Sequence, residues 1–303
     1  MRLVVLGAAA GGGFPQWNCN CPNCRRAWRG DPAARPRTQC SVAVSGDGER
    51  WLLLNASPDL RQQIGATPVL HPSGGLRHSP IAAVLLTGAD VDACAGLLSL
   101  REGQRFDLLA AGPTLGVLAA DPIFAVLDPE SVRRRALVPD EPLDLGFGLT
   151  VETYPVPGKM PLWLEDEAEG LDLASEAGEA IGVRVATSAG ASCHFVPGCA
   201  RLSPALAERL RGAALLLFDG TLWDDDEMIR LGLGAKTGRR MGHMSMTGPA
   251  GSMAAFAPLD VARKVYVHVN NSNPVLIDGS PEQRTAAAAG WEIAFDGMEI
   301  ALP

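Results

Sequence analysis

Lysine is nearly absent from this chain of 303 residues: only Lys159, Lys236 and Lys264 stand among 26 basic residues, which face 34 acidic ones. The resulting formal charge of −8 leaves no basic face for a phosphate backbone and argues against nucleic acid as the main partner. Nor is there an unbroken apolar run of the roughly 18–20 residues a bilayer span requires. The opening Met-Arg-Leu-Val-Val-Leu-Gly is too short for a signal-peptide core, and Gly11–Gly13 leads into Phe-Pro-Gln-Trp, not a small-residue cleavage site. It reads as a buried first strand. There is no heptad pattern, internal repeat or long linker. The seven cysteines are odd in number and three are clustered, which suits metal binding in a reducing cytoplasm better than a disulfide framework.

What is present fits an ordinary globular protein, 47% hydrophobic and 20% charged. We read residues 1–303 as one domain with a large core. Six apolar runs predict buried strands: Leu3–Leu6, Ser41–Val44, Trp51–Asn55, Ala82–Thr87, Leu215–Phe218 and Val265–Val269. Helical spacing recurs between them at Asp92–Arg101, Pro113–Ala119 and Ser203–Arg211, the last with Ser203 as its N-cap. Strand and helix signals alternate along the whole length. An acidic stretch near 162–180, from Glu165 to Glu179, reads as a solvated insertion, or more sharply as a flap over a cleft.

The densest chemical signal is Asn18-Cys19-Asn-Cys21-Pro-Asn-Cys24. Three thiols within six residues cannot all pair with one another, but they can wrap one soft cation, and structural zinc asks for four such tetrahedral donors. The fourth must come from a distance, with Cys40, His243, His268 and Asn271 as candidates. Cys94, Cys193 and Cys199 sit in apolar or small-residue surroundings and read as core. The glycines from Gly7 to Gly13 lack the G-x-G-x-x-G spacing, so a dinucleotide loop is disfavoured.

A second constellation lies at strand ends. Asp90 and Asp92 follow Ala82–Leu86, Asp219 ends Leu215-Leu-Leu-Phe, His268 ends Val265-Tyr-Val, and His243 sits in Gly242-His-Met-Ser. Singly these are a helix cap, a turn aspartate and a core histidine. Together, carboxylates and imidazoles at separate strand ends are what a metal-binding cleft requires.

These residues carry a resemblance. Leu86-Thr87, the acidic turn and Ala95-Gly96-Leu97 resemble the T-H-x-H-x-D-H-x-x-G-L segment of the metallo-β-lactamase superfamily. Gly-Gly-Gly-Phe-Pro-Gln with the cysteine cluster resembles the phosphodiesterase-like branch of that superfamily. Asn55-Ala-Ser-Pro-Asp59-Leu-Arg, Phe195-Val-Pro-Gly198-Cys, Met241-Gly-His-Met-Ser245 and His268-Val-Asn-Asn-Ser-Asn-Pro274 are similar to the B family of pyrroloquinoline quinone (PQQ) biosynthesis, over almost the full length.

The resemblance implies an α/β (α+β) fold, the metallo-β-lactamase-like αββα sandwich, with metal at one edge. It implies a cytoplasmic protein, a homodimer being one form open to it. Its partner would be a peptide-derived precursor with cross-linked Glu and Tyr side chains, or PQQ itself. The activity implied is iron- and dioxygen-dependent hydroxylation of the tyrosine ring; a non-catalytic carrier is the alternative. The superfamily histidines fall on Gly88, Asp90 and Ala93 here, and none stands near Pro157-Gly158-Lys159. Asp92, Asp219 and His268 carry over, with Asp90 as an added carboxylate for iron or another divalent ion. Asp92, His268 and His243, the last matching a substrate-directed histidine of the related branch, are the catalytic candidates. That branch places its fourth clip ligand three residues past the last active-site histidine, which assigns the structural zinc to Cys19, Cys21, Cys24 and Asn271. About four donors are too few for the dinuclear centre of a hydrolase.

Overall fold

The computed structural model describes residues 1–158 and 180–303; the greater part of the acidic stretch, and Lys159, lie outside the described residues. The strands fall into two halves along the chain. Arg2–Gly7 (β1), Ser41–Ser45 (β2), Trp51–Leu54 (β3), Ile81–Leu85 (β4), Phe106–Ala111 (β5) and Val132–Leu137 (β6) build the first sheet. Leu143–Asp144 (β7), Thr150–Pro155 (β8), Ile181–Ala186 (β9), Ser192–Val196 (β10), Leu216–Asp219 (β11), Lys264–Val267 (β12) and Trp291–Ile293 (β13) build the second. Glu299–Ala301 (β14) then returns to pair antiparallel with β1. Each sheet has seven strands, in the orders β14-β1-β2-β3-β4-β5-β6 and β13-β12-β11-β10-β9-β8-β7.

Side-chain alternation explains why so many strands read as unbroken apolar runs. On β1, Leu3 and Val5 enter the core between the sheets, while Val4 and Leu6 pack with Leu60, Leu97 and Leu118 on the outer face. On β11 and β12, Leu217, Val265 and Val267 face the first sheet, and Phe218 and Tyr266 pack outward with Phe256 and Trp291. A strand buried on both faces has no polar side to show. Helices cover each outer face, giving the αββα sandwich expected from the sequence.

Three expected strands end early: Ala82–Thr87 stops at Leu85, and the other two stop at left-handed residues beside the site. Trp51–Asn55 stops at Leu54 because Asn55 is left-handed at φ 62°, and Val265–Val269 stops at Val267 because His268 is left-handed at φ 55°. Neither residue is glycine, so each conformation costs about 1–3 kcal/mol that surrounding contacts must offset. For Asn55 that contact is with Thr87: its Oδ1 accepts from Thr87 N at 2.9 Å and from Thr87 Oγ1 at 3.1 Å. The expected helix Asp92–Arg101 is a single turn, Val91–Cys94, running into a 3₁₀ stretch, Ala95–Leu100. The reason is Gly96, where an added Cβ would lie 2.1 Å from the Ser57 carbonyl; the chain must pass that close to bring Asp92 to the sheet edge.

Candidate active site and cysteine clip

Parallel strands put their C-terminal ends along one edge of a sheet, and loops leaving there converge. β4 delivers Asp90 and Asp92 from the first sheet, while β11 delivers Asp219 and β12 delivers His268 from the second. His243 arrives on the loop after the short turn Arg239–Met241, whose reversal at Gly242 uses φ 87°.

Asp219 is fully buried, and each of its oxygens is engaged twice. Oδ1 accepts from Thr221 N at 3.0 Å and Thr221 Oγ1 at 2.6 Å; Oδ2 accepts from Cys199 N at 3.0 Å and lies 2.8 Å from His243 Nδ1. Burial pushes this carboxyl up, but the charge and hydrogen bond of His243 outweigh it and hold the group below the usual carboxylate range. His268 bridges the sheets, with Nδ1 2.9 Å from Thr221 Oγ1 and Nε2 2.9 Å from Asp92 Oδ2. Burial pulls the imidazole down, yet the Asp92 carboxylate raises it overall. Burial likewise pushes Asp92 up, and His268 brings it below the ordinary range. The pair is therefore an ion pair. The rings of His243 and His268 stack with centroids 5.3 Å apart and planes 21° from parallel.

These groups open onto a cavity of about 550 Å³ lined by Asp90, Asp92, Thr221, Lys236, His243 and His268. Met228, Leu233 and Met241 give it an apolar wall. Gly88 and Ala93, where the superfamily pattern has imidazoles, also face this cavity. The sequence candidates thus divide: Asp90, Asp92, His243 and His268 line the cavity, and Asp219 stands behind His243. Ligand-type atoms of Asp219, His243 and His268 lie within 4.8 Å of one another. Two imidazoles with carboxylates beside a cavity fit a divalent first-row cation.

The three clip thiols also gather within 4.8 Å of one another. Cys19 leads into the helix Pro22–Trp28, which Cys21 caps and which carries Cys24. Among the four candidates for the fourth position, the structure brings Asn271 there, with Nδ2 3.1 Å from Cys19 Sγ and 3.2 Å from Cys24 Sγ. Cys40 is buried at the other cavity instead, where burial pushes its thiol up. A hydrogen bond from the Cys24 thiol lowers Cys21 well below the ordinary thiol range, toward the thiolate form that binds metal. The three sulfurs supply three of the four tetrahedral donors that structural zinc takes, while Asn271 presents its amide N–H to them.

Sequence reasoning missed three residues. Thr221 sits two places past Asp219 in a turn where Asp219 Oδ1 accepts the Thr221 N–H, and that Asp-x-Thr spacing was the available signal. Asn23 donates its amide to the carbonyls of Asn271, Ser272 and Asn273 at 3.3, 2.9 and 3.0 Å. Glu227 is buried against Ser272 and Trp223. The latter two act across roughly 250 and 45 positions, which no local pattern marks.

Residues 50–269 match the β-lactamase superfamily domain model. The chain is 56% identical to coenzyme PQQ synthesis protein B of Gluconacetobacter diazotrophicus, covering 98% of each. The chain belongs to the coenzyme PQQ synthesis protein B family. A second member of that family, from Methylobacterium sp. strain 4-46, is 52% identical with both chains fully covered. The crystal structure of Zn²⁺-bound PqqB from Methylobacterium extorquens, 51% identical, matches with a TM-score of 0.97 over all of both chains. A diphosphatase of the PhnP family covers the whole chain at 22% identity and a TM-score of 0.69, so it shares the fold. In this chain the fold holds two separate donor clusters, one of thiols and one of imidazoles and carboxylates.

Proposed function

We propose that this protein acts in PQQ biosynthesis by hydroxylating the tyrosine ring of a cross-linked Glu-Tyr precursor. The observation that carries the reading is the pair of stacked imidazoles, His243 and His268, beside Asp92 at the floor of a cavity with an apolar wall. Asp92, His268 and Asp90 would hold iron, which supplies the one-electron chemistry with dioxygen that side chains lack. One oxygen atom replaces a ring hydrogen and the other leaves as water, with two electrons and two protons coming from an external two-electron reductant. Met228, Leu233 and Met241 seat the aromatic ring. Lys236 offers its ammonium to a substrate carboxylate. Asp219 fixes His243 through Nδ1, leaving Nε2 to take or return the phenolic proton. Cys19, Cys21, Cys24 and Asn271 would hold zinc as a structural clip, since a half turn of the amide offers Oδ1 where Nδ2 now lies. The odd number and clustering of the cysteines suit a reducing, cytoplasmic setting.

The test is dioxygen consumption by protein loaded anaerobically with Fe²⁺ and given the precursor. Turnover that Asp92→Ala and His268→Ala each abolish supports the reading. No turnover at saturating iron together with tight PQQ binding overturns it in favour of a carrier. Gly88 and Ala93 in place of imidazoles favour that second reading.

A further inference from the structure

The hydroxyl of Thr221 has more neighbours than it can serve at once. Its Oγ1 lies 2.6 Å from Asp219 Oδ1, 2.9 Å from His268 Nδ1, 3.1 Å from His243 Nδ1 and 3.1 Å from the His268 carbonyl. A hydroxyl donates one hydrogen and accepts two. Asp219 Oδ1 and the carbonyl can only accept. The 2.6 Å approach of two oxygens inside the protein is tolerable only with a proton between them, and a fully buried carboxylate makes the strongest claim on it. The single hydrogen therefore goes to Asp219.

That assignment settles the rest. Thr221 Oγ1 has nothing left to give His268 Nδ1, so the imidazole must donate and the hydroxyl accept. If Nδ1 carried a lone pair instead, two acceptors would face each other 2.9 Å apart in a buried site, each left without a donor. His243 Nδ1 lies between Asp219 Oδ2 at 2.8 Å and the same hydroxyl; it too can only donate.

We propose that Thr221 is a positioning residue that accepts the Nδ1–H of both His243 and His268, so that Nε2 is the ring atom left to face the cavity in His243 and Asp92 in His268. One hydroxyl thus fixes the Nδ1 proton and the orientation of two rings from different segments, and Asp219 anchors the hydroxyl. The role is independent of whether the site hydroxylates or carries, because it concerns the free protein.

The experiment is long-range ¹H–¹⁵N correlation on uniformly labelled, metal-free protein, which separates protonated from lone-pair ring nitrogens. The expected wild-type result is a proton on Nδ1 of both histidines, with His268 also carrying one on Nε2 toward Asp92. A bare Nδ1 on His268 in the wild type overturns the proposal without any variant. Thr221→Val keeps the shape and removes the hydroxyl, and is expected to cost His268 its Nδ1 proton while Nε2–H stays with Asp92; Thr221→Ser is expected to restore the wild-type pattern. In parallel, Thr221→Val should bind Zn²⁺ or Fe²⁺ at the imidazole site about 10- to 100-fold more weakly, the usual loss when a group orienting a ligand is removed. A Val variant with the wild-type tautomers and metal affinity, or a Ser variant that behaves like Val, overturns it. Neither readout requires dioxygen or turnover, so a failed hydroxylase assay leaves this result standing.

Discussion

Glu227 shows what a single buried carboxyl can do away from the reacting groups. It is 3% exposed, accepts from Trp223 N at 2.8 Å, and is pushed up to about 7 by burial that its hydrogen bonds only partly offset. The folded state therefore holds a proton that the unfolded chain, near 4.5, gives up. Below pH 4.5 both states are protonated and the group is neutral in the balance. Between about 4.5 and 7 the native state binds more protons, so stability falls as pH rises, and above 7 the full penalty remains. Glu227→Gln keeps the shape without the charge. Its melting temperature should match the wild type at pH 4.5 and exceed it increasingly up to pH 8; equal curves across that range would show the carboxyl to be indifferent. Residues of this kind were invisible in the sequence. Asp92, Asp219, His243 and His268 could be found because polar groups at the ends of apolar runs stand out. Thr221 left only its Asp-x-Thr turn as a signal, and Asn23 and Glu227 left none, because an ordinary polar residue takes its meaning from what folding places beside it.

At the scale of elements, the loop from His268 to Asn273 is held from two sides. On one, Asn23 of the helix Pro22–Trp28 gives its amide to three successive carbonyls, and Asn271 reaches the clip sulfurs. On the other, Asn270 N donates to the Thr221 carbonyl at 3.1 Å, and Asn273 Nδ2 donates to the Gly220 carbonyl at 3.0 Å. The clip helix and the left-handed His268 are thus joined by a short, fully bonded segment. Asn23→Ala leaves buried carbonyls without a donor and should cost roughly 1–3 kcal/mol. Amide exchange in residues 269–273 should accelerate more than in β12; uniform acceleration would mean the loop is no separate unit. The same scale explains which strands were readable. Strands buried on both faces announce themselves, whereas β6 is an edge strand, Val-Arg-Arg-Arg-Ala-Leu, whose Arg133 and Arg135 pair with Asp107 of β5. Its charged face hides it from any search for apolar runs.

For the whole molecule, the clip joins positions far apart in the chain: Asn271 and Cys19 are separated by 252 residues. A metal held there would bind the native state and not the unfolded one, and its binding energy would count directly toward folding. Removing zinc with a chelator should lower the melting temperature, by roughly 2 °C for each kcal/mol lost. Metal analysis should find about one tightly held zinc per chain in the native protein and none in a Cys19→Ser, Cys21→Ser variant. Unchanged zinc content in that variant would remove the clip from the account. The four-layer architecture itself could be read from motif resemblance and from apolar runs. The pairing of β14 with β1 could not, since three residues, Glu-Ile-Ala, hold no pattern of their own.

The bond between Asp92 Oδ2 and His268 Nε2 has one more implication. Asp92 follows a strand of the first sheet and His268 a strand of the second, so neither half of the polypeptide owns the site. During refolding, a chain with two well-formed but undocked sheets would have its secondary structure and no reaction centre. Recovery of the imidazole signature would then serve as a clock for sheet-to-sheet assembly, lagging behind the circular dichroism of the backbone.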